Sequence, residues 1–412
     1  MKVIVWGINY APELTGIAPY NRALCEHLQN TGHEVRMVTT FSYYPAWKKA
    51  AADRGRLFRT DVINGVKVHR CWHYVPFRVT TLRRMFHEAS FITTTFLRLL
   101  TLPRPDMYVV VSPPLMLGLA ARVLQFFRRA PYVFHVQDLQ PDAAVGLGML
   151  KTGAFTRLLY GLEGLAYRHA AAVSGISQGM MDAFARKGVP MERQIYFPNG
   201  TTLPDLNKIP PQGRFRARHG FKANEFLAVY SGNLGVKQGL EVLVEAAKLL
   251  IGTPVRIVIC GDGAIRPKLE ATIHQEKLQN MTLLPLQPDQ EYQEMLIDAD
   301  VCLITQQAGS GAAFFPSKLL AVLSLARPVV AVADENSELR RAIAEGGFGT
   351  CVQPGDARTL SQLFVLLASD PTGLRQQGIN GFLFVEQFAF DKVLPRFTSD
   401  LENLVKKRNA DR

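Results

Sequence analysis

The feature that most constrains this chain is an alternation, run through twice, of apolar segments of strand length with segments of helical period. In the first half, Val3 to Ile8 precedes a helical pattern near Ile17 to Asn30. Glu34 to Thr40, Val66 to Cys71, Met107 to Ser112, Tyr132 to Val136 and Ala170 to Ser174 are the further strand-like runs. Apolar runs of this length separated by helices predict a parallel sheet covered on both faces. Gly32 stands where the first helix should end, in the place a left-handed cap requires.

After Pro198-Asn199-Gly200 and a polar stretch bearing Pro204, Pro210 and Pro211, the same logic restarts. Phe226 to Tyr230 opens the second series, and Val255 to Cys260, Thr282 to Leu284, Val301 to Thr305, Val329 to Val332 and Thr350 to Val352 continue it. A linker near residues 200 to 212 therefore separates two α/β domains, and 412 residues suffice for two cores. Ligands of open α/β sheets bind beyond the carboxyl ends of the strands, where strand order reverses. Two such domains facing one another place these edges on a shared cleft.

Composition narrows the setting. Five cysteines, far apart and never in a CxxC pair, suggest neither a disulfide framework nor a zinc site and fit a reducing cytoplasm. The first apolar run is too short for a signal sequence, and Pro113, Pro114 and Arg122 interrupt the best candidate for a membrane span. The net charge of +12 is concentrated: Lys67 to Ala130 holds ten Lys or Arg against Glu88 and Asp106, a net of eight. An anionic surface beside this segment is expected.

Candidate sites fall at the predicted strand ends. The segment Asn9 to Gly16 lacks the GxGxxG dinucleotide fingerprint, which removes the main support for an NAD or FAD enzyme. Gly16 either lets backbone N–H groups approach an anion or serves a plain βα turn. Ser231-Gly232-Asn233-Leu234-Gly235-Val236-Lys237-Gln238-Gly239 lies between a strand and a helix and suits a diphosphate, with a solvated turn as the alternative. Gly261-Asp262-Gly263, with Arg266 one turn on, suits close passage of a ribose or base. In Ala308 to Lys318, Pro316 fits a first helical position. Ser317 and an exposed Lys318 then meet a diphosphate at the positive helix end, the alternative being that Lys318 is a solvated surface residue. Gln137 and Asp138 leave an apolar strand at its carboxyl end and can hold sugar hydroxyls. His135 aligns with Gln137 by strand alternation and is either a base facing the cleft or a buried structural histidine. From Leu82 to Leu100, Leu82, Met85, Phe86, Ala89, Ile92, Phe96 and Leu100 share one helical face, with Arg83, Arg84 and His87 on another. Such a helix either faces the core or dips into an anionic leaflet; the local charge favours the leaflet.

Six segments in order resemble retaining glycosyltransferases of the GT-B fold, family 4. They are Tyr10-Ala11-Pro12-Glu13-Leu14-Thr15-Gly16, Gly32-His33-Glu34-Val35, Pro198-Asn199-Gly200, Ser231-Gly232-Asn233-Leu234-Gly235, Gly261-Asp262-Gly263 and Pro316-Ser317-Lys318. The likeness is greatest to the colanic-acid-type exopolysaccharide fucosyltransferase branch. It implies two Rossmann-like domains: residues 1–200 binding the acceptor, residues 201–390 binding the sugar nucleotide, and a helix within 391–412 crossing back to the first domain. It also implies metal-independent transfer of L-fucose from GDP-fucose to an undecaprenyl-diphosphate-linked sugar, with no cofactor, at the cytoplasmic face of the inner membrane.

On this resemblance the catalytic candidates are Asp138, Lys237 and Lys318. The donor-binding set is Gly16, Gly232, Asn233, Lys237, Gly261, Gly263, Arg266, Gly311, Ser317 and Lys318, and the acceptor-binding set is Asn9, Gln137 and Asp138. Three departures stand out: Ala313 and Ala321 replace two family glutamates, Gln238 replaces the usual lysine with Lys237 one residue early, and Gln137-Asp138 replaces a His-Asp pair. A non-catalytic sugar-nucleotide-binding subunit of a polysaccharide assembly complex is the alternative that the missing glutamates raise.

Overall fold

The structure is a computed structural model that describes residues 1–78, 80–146, 150–151, 153–205, 208–309 and 318–410. It divides into two compact units, residues 1–200 with 390–412, and residues 201–389.

The first unit begins with β1 (Lys2–Trp6), α1 (Ala18–Asn30), β2 (Glu34–Thr40), β3 (Phe58–Ile63), β4 (Val66–Cys71) and α2 (Thr81–Thr101). It continues with β5 (Met107–Ser112), α3 (Met116–Arg128), β6 (Tyr132–Val136), α4 (Gln140–Gly146), α5 (Ala154–His169), β7 (Ala172–Gly175), α6 (Gln178–Arg186) and β8 (Gln194–Tyr196). The eight strands lie in the order β3-β4-β2-β1-β5-β6-β7-β8, parallel except for the β3–β4 hairpin. Order therefore reverses between β1 and β5, the central pair, in which Val3 stands opposite Met107 and Trp6 opposite Val110. Val3 and Val5 face one buried cluster, Ile4 and Trp6 the other, because successive side chains leave opposite faces of the sheet. Both faces are covered, which is why these strands read as unbroken apolar runs.

The two strands without a clear sequence signal are the outer ones. β3 alternates exposed and half-buried residues along a sheet edge, and it is held in place by the Asn64-Gly65 turn, both residues with positive φ. β8 spans three residues at the opposite edge.

The second unit runs α7 (Arg214–His219), β9 (Phe226–Ser231), α8 (Glu241–Leu249), β10 (Val255–Cys260), α9 (Arg266–Gln275), β11 (Met281–Leu284) and α10 (Asp289–Asp298). There follow β12 (Val301–Thr305), α11 (Lys318–Ser324), β13 (Val329–Val332), α12 (Glu338–Gly346), β14 (Gly349–Val352), α13 (Ala357–Ala368) and α14 (Pro371–Val385). Its six strands are all parallel, in the order β11-β10-β9-β12-β13-β14, and reverse between β9 and β12. Every run read as a strand in this half forms one.

The last helix, α15 (Phe390–Ala410), belongs to the first unit. Val393, Leu394, Phe397 and Leu401 enter the core that also holds Val3, Val5 and Val109. Phe397 stacks on Phe197 with ring centroids 3.9 Å apart and planes 3° from parallel, and both rings pack on His135. Phe397 is fully buried, so Phe397→Ala is expected to destabilise the first unit by about 3–5 kcal/mol, the cost of a large aromatic cavity. Denaturant unfolding followed by tryptophan fluorescence checks this.

α2 resolves the question left by its sequence. His87, Phe91, Thr94, Thr95 and Leu99 form its buried stripe, and Ile92, Phe96 and Leu100 are half-buried against the same core. Leu82, Met85, Phe86 and Ala89 face outward. The apolar face expected from the periodicity is thus divided: its C-terminal half packs inward and its N-terminal half is exposed. His87, expected on the outer rim, lies in the core because its ring nitrogens meet Tyr74 O at 2.6 Å and Tyr43 Oη at 3.1 Å.

Candidate active site

In the second unit the site is built where β9 and β10 end side by side. The loop after β9 folds onto the loop after β10: Gly232 N donates to Cys260 O at 2.9 Å, Leu234 N to Asp262 O at 2.8 Å, and Ile265 N to Leu234 O at 3.0 Å. This approach leaves no room for side chains. A Cβ on Gly261 would stand 1.9 Å from Gly232 O, and one on Gly263 2.4 Å from Leu234 O. The sequence reading assigned these glycines to a passing ribose or base; in the structure their bareness is required by the neighbouring loop. Gly261→Ala forces a backbone shift and is expected to cost about 1–3 kcal/mol, the range of an overpacked site, as read from the denaturation midpoint.

Arg266 serves the same junction. Its guanidinium donates to Gly261 O and to Leu284 O (3.0 Å) and pairs with Glu270 at 2.9 Å. Arg266, read from the sequence as a donor contact, braces the loop that carries Gly261 and Gly263.

Lys318, the first residue of α11, lies across this platform. Its Nζ sits 3.7 Å from the centre of the Tyr230 ring and 3.3 Å from Ser231 O, beneath Gly232. The expectation of an exposed lysine is corrected: the side chain is half-buried, and burial pushes its ammonium down to about 7. Tyr230, which the sequence reading did not single out, is fully buried, and its hydroxyl donates to Asn233 O at 2.8 Å. One aromatic ring thus carries the ammonium and fixes the loop holding Gly232 and Asn233, a cation–π arrangement. Lys237 is exposed on the next turn, where its carbonyl accepts from Gln307 N at the end of β12 (2.8 Å). Gly311, Ser317 and Ala313 lie outside the described residues, and Ala321 is half-buried on α11.

In the first unit a cavity of about 400 Å³ opens at the β1/β5 reversal, lined by Asn9, Gly16, Tyr43, Tyr44, Trp47, Arg84, His87, Glu88, Pro113 and Pro114 among others. Gly16, placed by the sequence reading with the donor residues, shares this cavity with the acceptor candidate Asn9. The organising group is Glu13, which the motif contained but the sequence reading gave no role. Its buried carboxylate accepts from Tyr43 N (2.8 Å) and Tyr44 N (2.9 Å) through one oxygen and from Asn9 Nδ2 (2.8 Å) through the other. It therefore ties the loop after β2 to the loop after β1. Buried Arg70 secures the same loop by donating to Ala11 O and pairing with Asp61, so this residue of the basic segment is committed inside the protein.

Gln137 and Asp138 stand one strand further along, beyond β6. The Gln137 amide exchanges two hydrogen bonds with Asn199, both 2.9 Å, and donates to His135 Nε2 at 2.8 Å. His135 Nδ1 then donates to Ser174 Oγ at 2.8 Å. His135 is fully buried and its ring is held neutral, the pKa pushed down to about 3. Of its two readings the structural one applies, and the contact with Gln137 follows from strand alternation. Asp138 is half-buried at the turn into α4.

The comparisons with known proteins agree with this architecture. Among solved structures, sucrose-phosphate synthase from Thermosynechococcus elongatus superposes with a TM-score of 0.76 over 98% of this chain and 99% of that one, at 18% identity. Anabaena HepE in complex with UDP-glucose gives 0.69 over 98% and 100%, at 15% identity. The fold is that of the GT-B glycosyltransferases. Residues 15–200 match the glycosyl transferase 4-like domain, and residues 211–382 match the glycosyl transferases group 1 domain. The glycosyl transferase WcaI of Escherichia coli, named for colanic acid biosynthesis, is 34% identical over 368 residues, 87% of this chain and 90% of that protein. The chain belongs to the group 1, family 4 glycosyltransferases and is a glycosyltransferase.

Proposed function

We propose that this protein is a retaining transferase that moves L-fucose from GDP-fucose to an undecaprenyl-diphosphate-linked sugar during synthesis of a colanic-acid-like exopolysaccharide. The observation that carries the donor side is the Lys318 ammonium seated on Tyr230 against the Gly232 loop. A leaving diphosphate there gains a cation held in place before the reaction, the arrangement that stabilises charge developing in the transition state. Gly232, Asn233, Lys237 and Lys318 are the donor contacts in this reading. Gly311 and Ser317 join them from the segment before α11, and no metal is needed. The name of the Escherichia coli relative supports the polysaccharide, and the sugar nucleotide bound by Anabaena HepE supports the donor class. Asp138, with Gln137 beside it, holds acceptor hydroxyls, and the donor phosphate takes the acceptor's proton.

The protein works at the cytoplasmic face of the membrane as a peripheral enzyme. No helix among the described residues is long and apolar enough to cross a bilayer. Leu82, Met85 and Phe86 of α2 and Val123, Phe126 and Phe127 of α3 are exposed, interleaved with Arg83, Arg84, Arg122, Arg128 and Arg129. Apolar side chains rimmed by arginine suit an anionic leaflet. Vesicles rich in phosphatidylglycerol are expected to bind the protein at low salt, and Phe126→Ser with Phe127→Ser to reduce that binding at least fivefold in a flotation assay.

Turnover measured with GDP-, UDP- and dTDP-sugars, membrane extract containing undecaprenyl-diphosphate-linked hexose and excess EDTA tests the reaction. Transfer from GDP-fucose is expected. Saturable nucleotide binding without transfer to any acceptor would favour the non-catalytic subunit instead.

Lys318 gives the donor step a pH signature. Near pH 8 the free protein holds much of this lysine neutral, its pKa lying near 7, whereas a bound diphosphate favours the ammonium. Binding of GDP therefore takes up a proton, and affinity falls as pH rises above about 7. Calorimetry in buffers of different ionisation enthalpy reads the uptake, which Lys318→Ala is expected to abolish.

A further inference from the structure

Each sheet ends in two edge strands, and one of the four is unlike the others. β8, β11 and β14 run for three, four and four residues, whereas β3 runs for six. A long edge strand presents a row of backbone N–H and C=O groups to other chains, and proteins usually blunt it with proline, lysine or a bulge. β3 carries none of these. Its register with β4 is unbroken, from Phe58 opposite Cys71 to Ile63 opposite Val66. Phe58 and Val62 are exposed, Val62 by 68%, and so is Leu57 just before the strand.

The hairpin decides which backbone groups of β3 point outward. The tight Asn64-Gly65 turn makes the flanking Ile63 and Val66 a hydrogen-bonded pair, and such pairs alternate along an antiparallel ladder. Ile63, Asp61 and Arg59 therefore bond to β4, and the 2.8 Å bond from Trp72 N to Leu57 O continues the series. The N–H and C=O groups of Phe58, Thr60 and Val62 are left facing away from the sheet, of which β3 is the last strand. On the side-chain face shared by Arg59 and Asp61 the charges cancel. Arg59 donates to Asp61 at 2.8 Å and pairs with Asp53, while Arg70 donates to Asp61 at 2.7 Å. This edge is thus locally neutral in a chain of net charge +12, whose other surfaces repel a second copy.

We infer that β3 pairs antiparallel with β3 of a second copy of this chain, about a two-fold axis through Thr60. The charge pattern selects that register. Outward-facing groups meet outward-facing groups when the axis passes through Arg59, Thr60 or Asp61. An axis through Arg59 or Asp61 sets two like charges directly opposite one another, which destabilises a strand pair. An axis through Thr60 sets Arg59 opposite Asp61 of the second copy, Phe58 opposite Val62, and Leu57 opposite Ile63. Opposite charges then occupy the non-hydrogen-bonded positions, where side chains stand closest, and the outward groups of Phe58, Thr60 and Val62 all find partners. A contact of this symmetry closes at two copies and leaves no free edge beyond it. The axis stands normal to the sheet, so α2, whose Arg98 guanidinium lies 5.8 Å from the centre of the Phe58 ring, is on the same side of the joined sheet in both copies. One strand pair is small beside the roughly 1,600 Å² of a standard interface, so the dimer dissociates on dilution.

The test uses the full chain in sedimentation velocity from about 1 to 300 μM, a span suited to a weak dimer of small area. The wild-type mass is expected to rise with concentration from one chain towards two. Val62→Pro removes an outward N–H, which an edge strand tolerates, and is expected to stay monomeric throughout with a melting temperature within about 2 °C of dilute wild type. Thr60→Cys gives a readout independent of that variant. In the inferred register the two Cα atoms at position 60 stand about 5.5 Å apart, inside the range a disulfide spans, so mild oxidation is expected to yield a covalent dimer that dithiothreitol reverses. Val62→Cys, which faces Phe58 and not its own counterpart, is expected to yield none, and neither is the wild type, whose cysteines are buried or half-buried. A wild type that remains monomeric at the highest concentration overturns the inference. So does a dimer that Val62→Pro leaves intact, which would place the contact on another surface. Cross-linking through Val62→Cys but not Thr60→Cys would overturn it as well, by showing a different register.

Discussion

Both sheets are buried on both faces, and the rest of the structure depends on that. Parallel strands covered by helices admit a polar side chain along their length only where it finds a partner in the core, as His135 does in Ser174. Val3 to Trp6 and Val301 to Thr305 accordingly carry little besides apolar groups. Polar chemistry is driven to the strands' carboxyl ends, and strand order reverses between β1 and β5 and between β9 and β12, where ligands of such sheets bind. The aromatic cavity lies beyond the first reversal, and the Gly232 loop with Lys318 lies beside the second.

Each of these two places is held in shape by a buried polar group behind it. In the first unit this is Glu13, whose carboxylate accepts three hydrogen bonds from two loops distant in sequence. Leaving any of those buried donors without an acceptor would cost about 1–3 kcal/mol, which suffices to hold the loops in one arrangement. In the second unit it is Tyr230, which supports the Lys318 ammonium on its ring and the Asn233 carbonyl on its hydroxyl. Neither group faces a ligand directly. Both decide where the groups that can do so will stand.

Much of the fold is legible in the sequence, because strand burial leaves a direct record as uninterrupted apolar runs. The parts that are not legible lack that record. β3 is an edge strand with half its residues in solvent, and β8 is three residues long. In α2 the apolar face is real, but periodicity does not report that one half is covered by the core while the other is open. At the sites, the glycine pair at 261 and 263 was visible and its cause was not, since the cause is the carbonyl of Gly232 and of Leu234 on another loop. Lys318 was visible as a charge near a helix start; its burial against Tyr230, some ninety residues earlier in the chain, was not.

The sequence by itself determined the two doubly wound halves, the segments at the strand ends, and membership of a glycosyltransferase family, because periodicity and local motifs are properties of neighbouring residues. Only the tertiary structure decided that His135 is a neutral core group, that Arg266 and Arg70 brace loops, and that Tyr43, Trp47 and Arg84 line one cavity. Those outcomes depend on burial and on partners brought together from distant segments, and a residue's charge state and free hydrogen-bonding capacity are set by such partners.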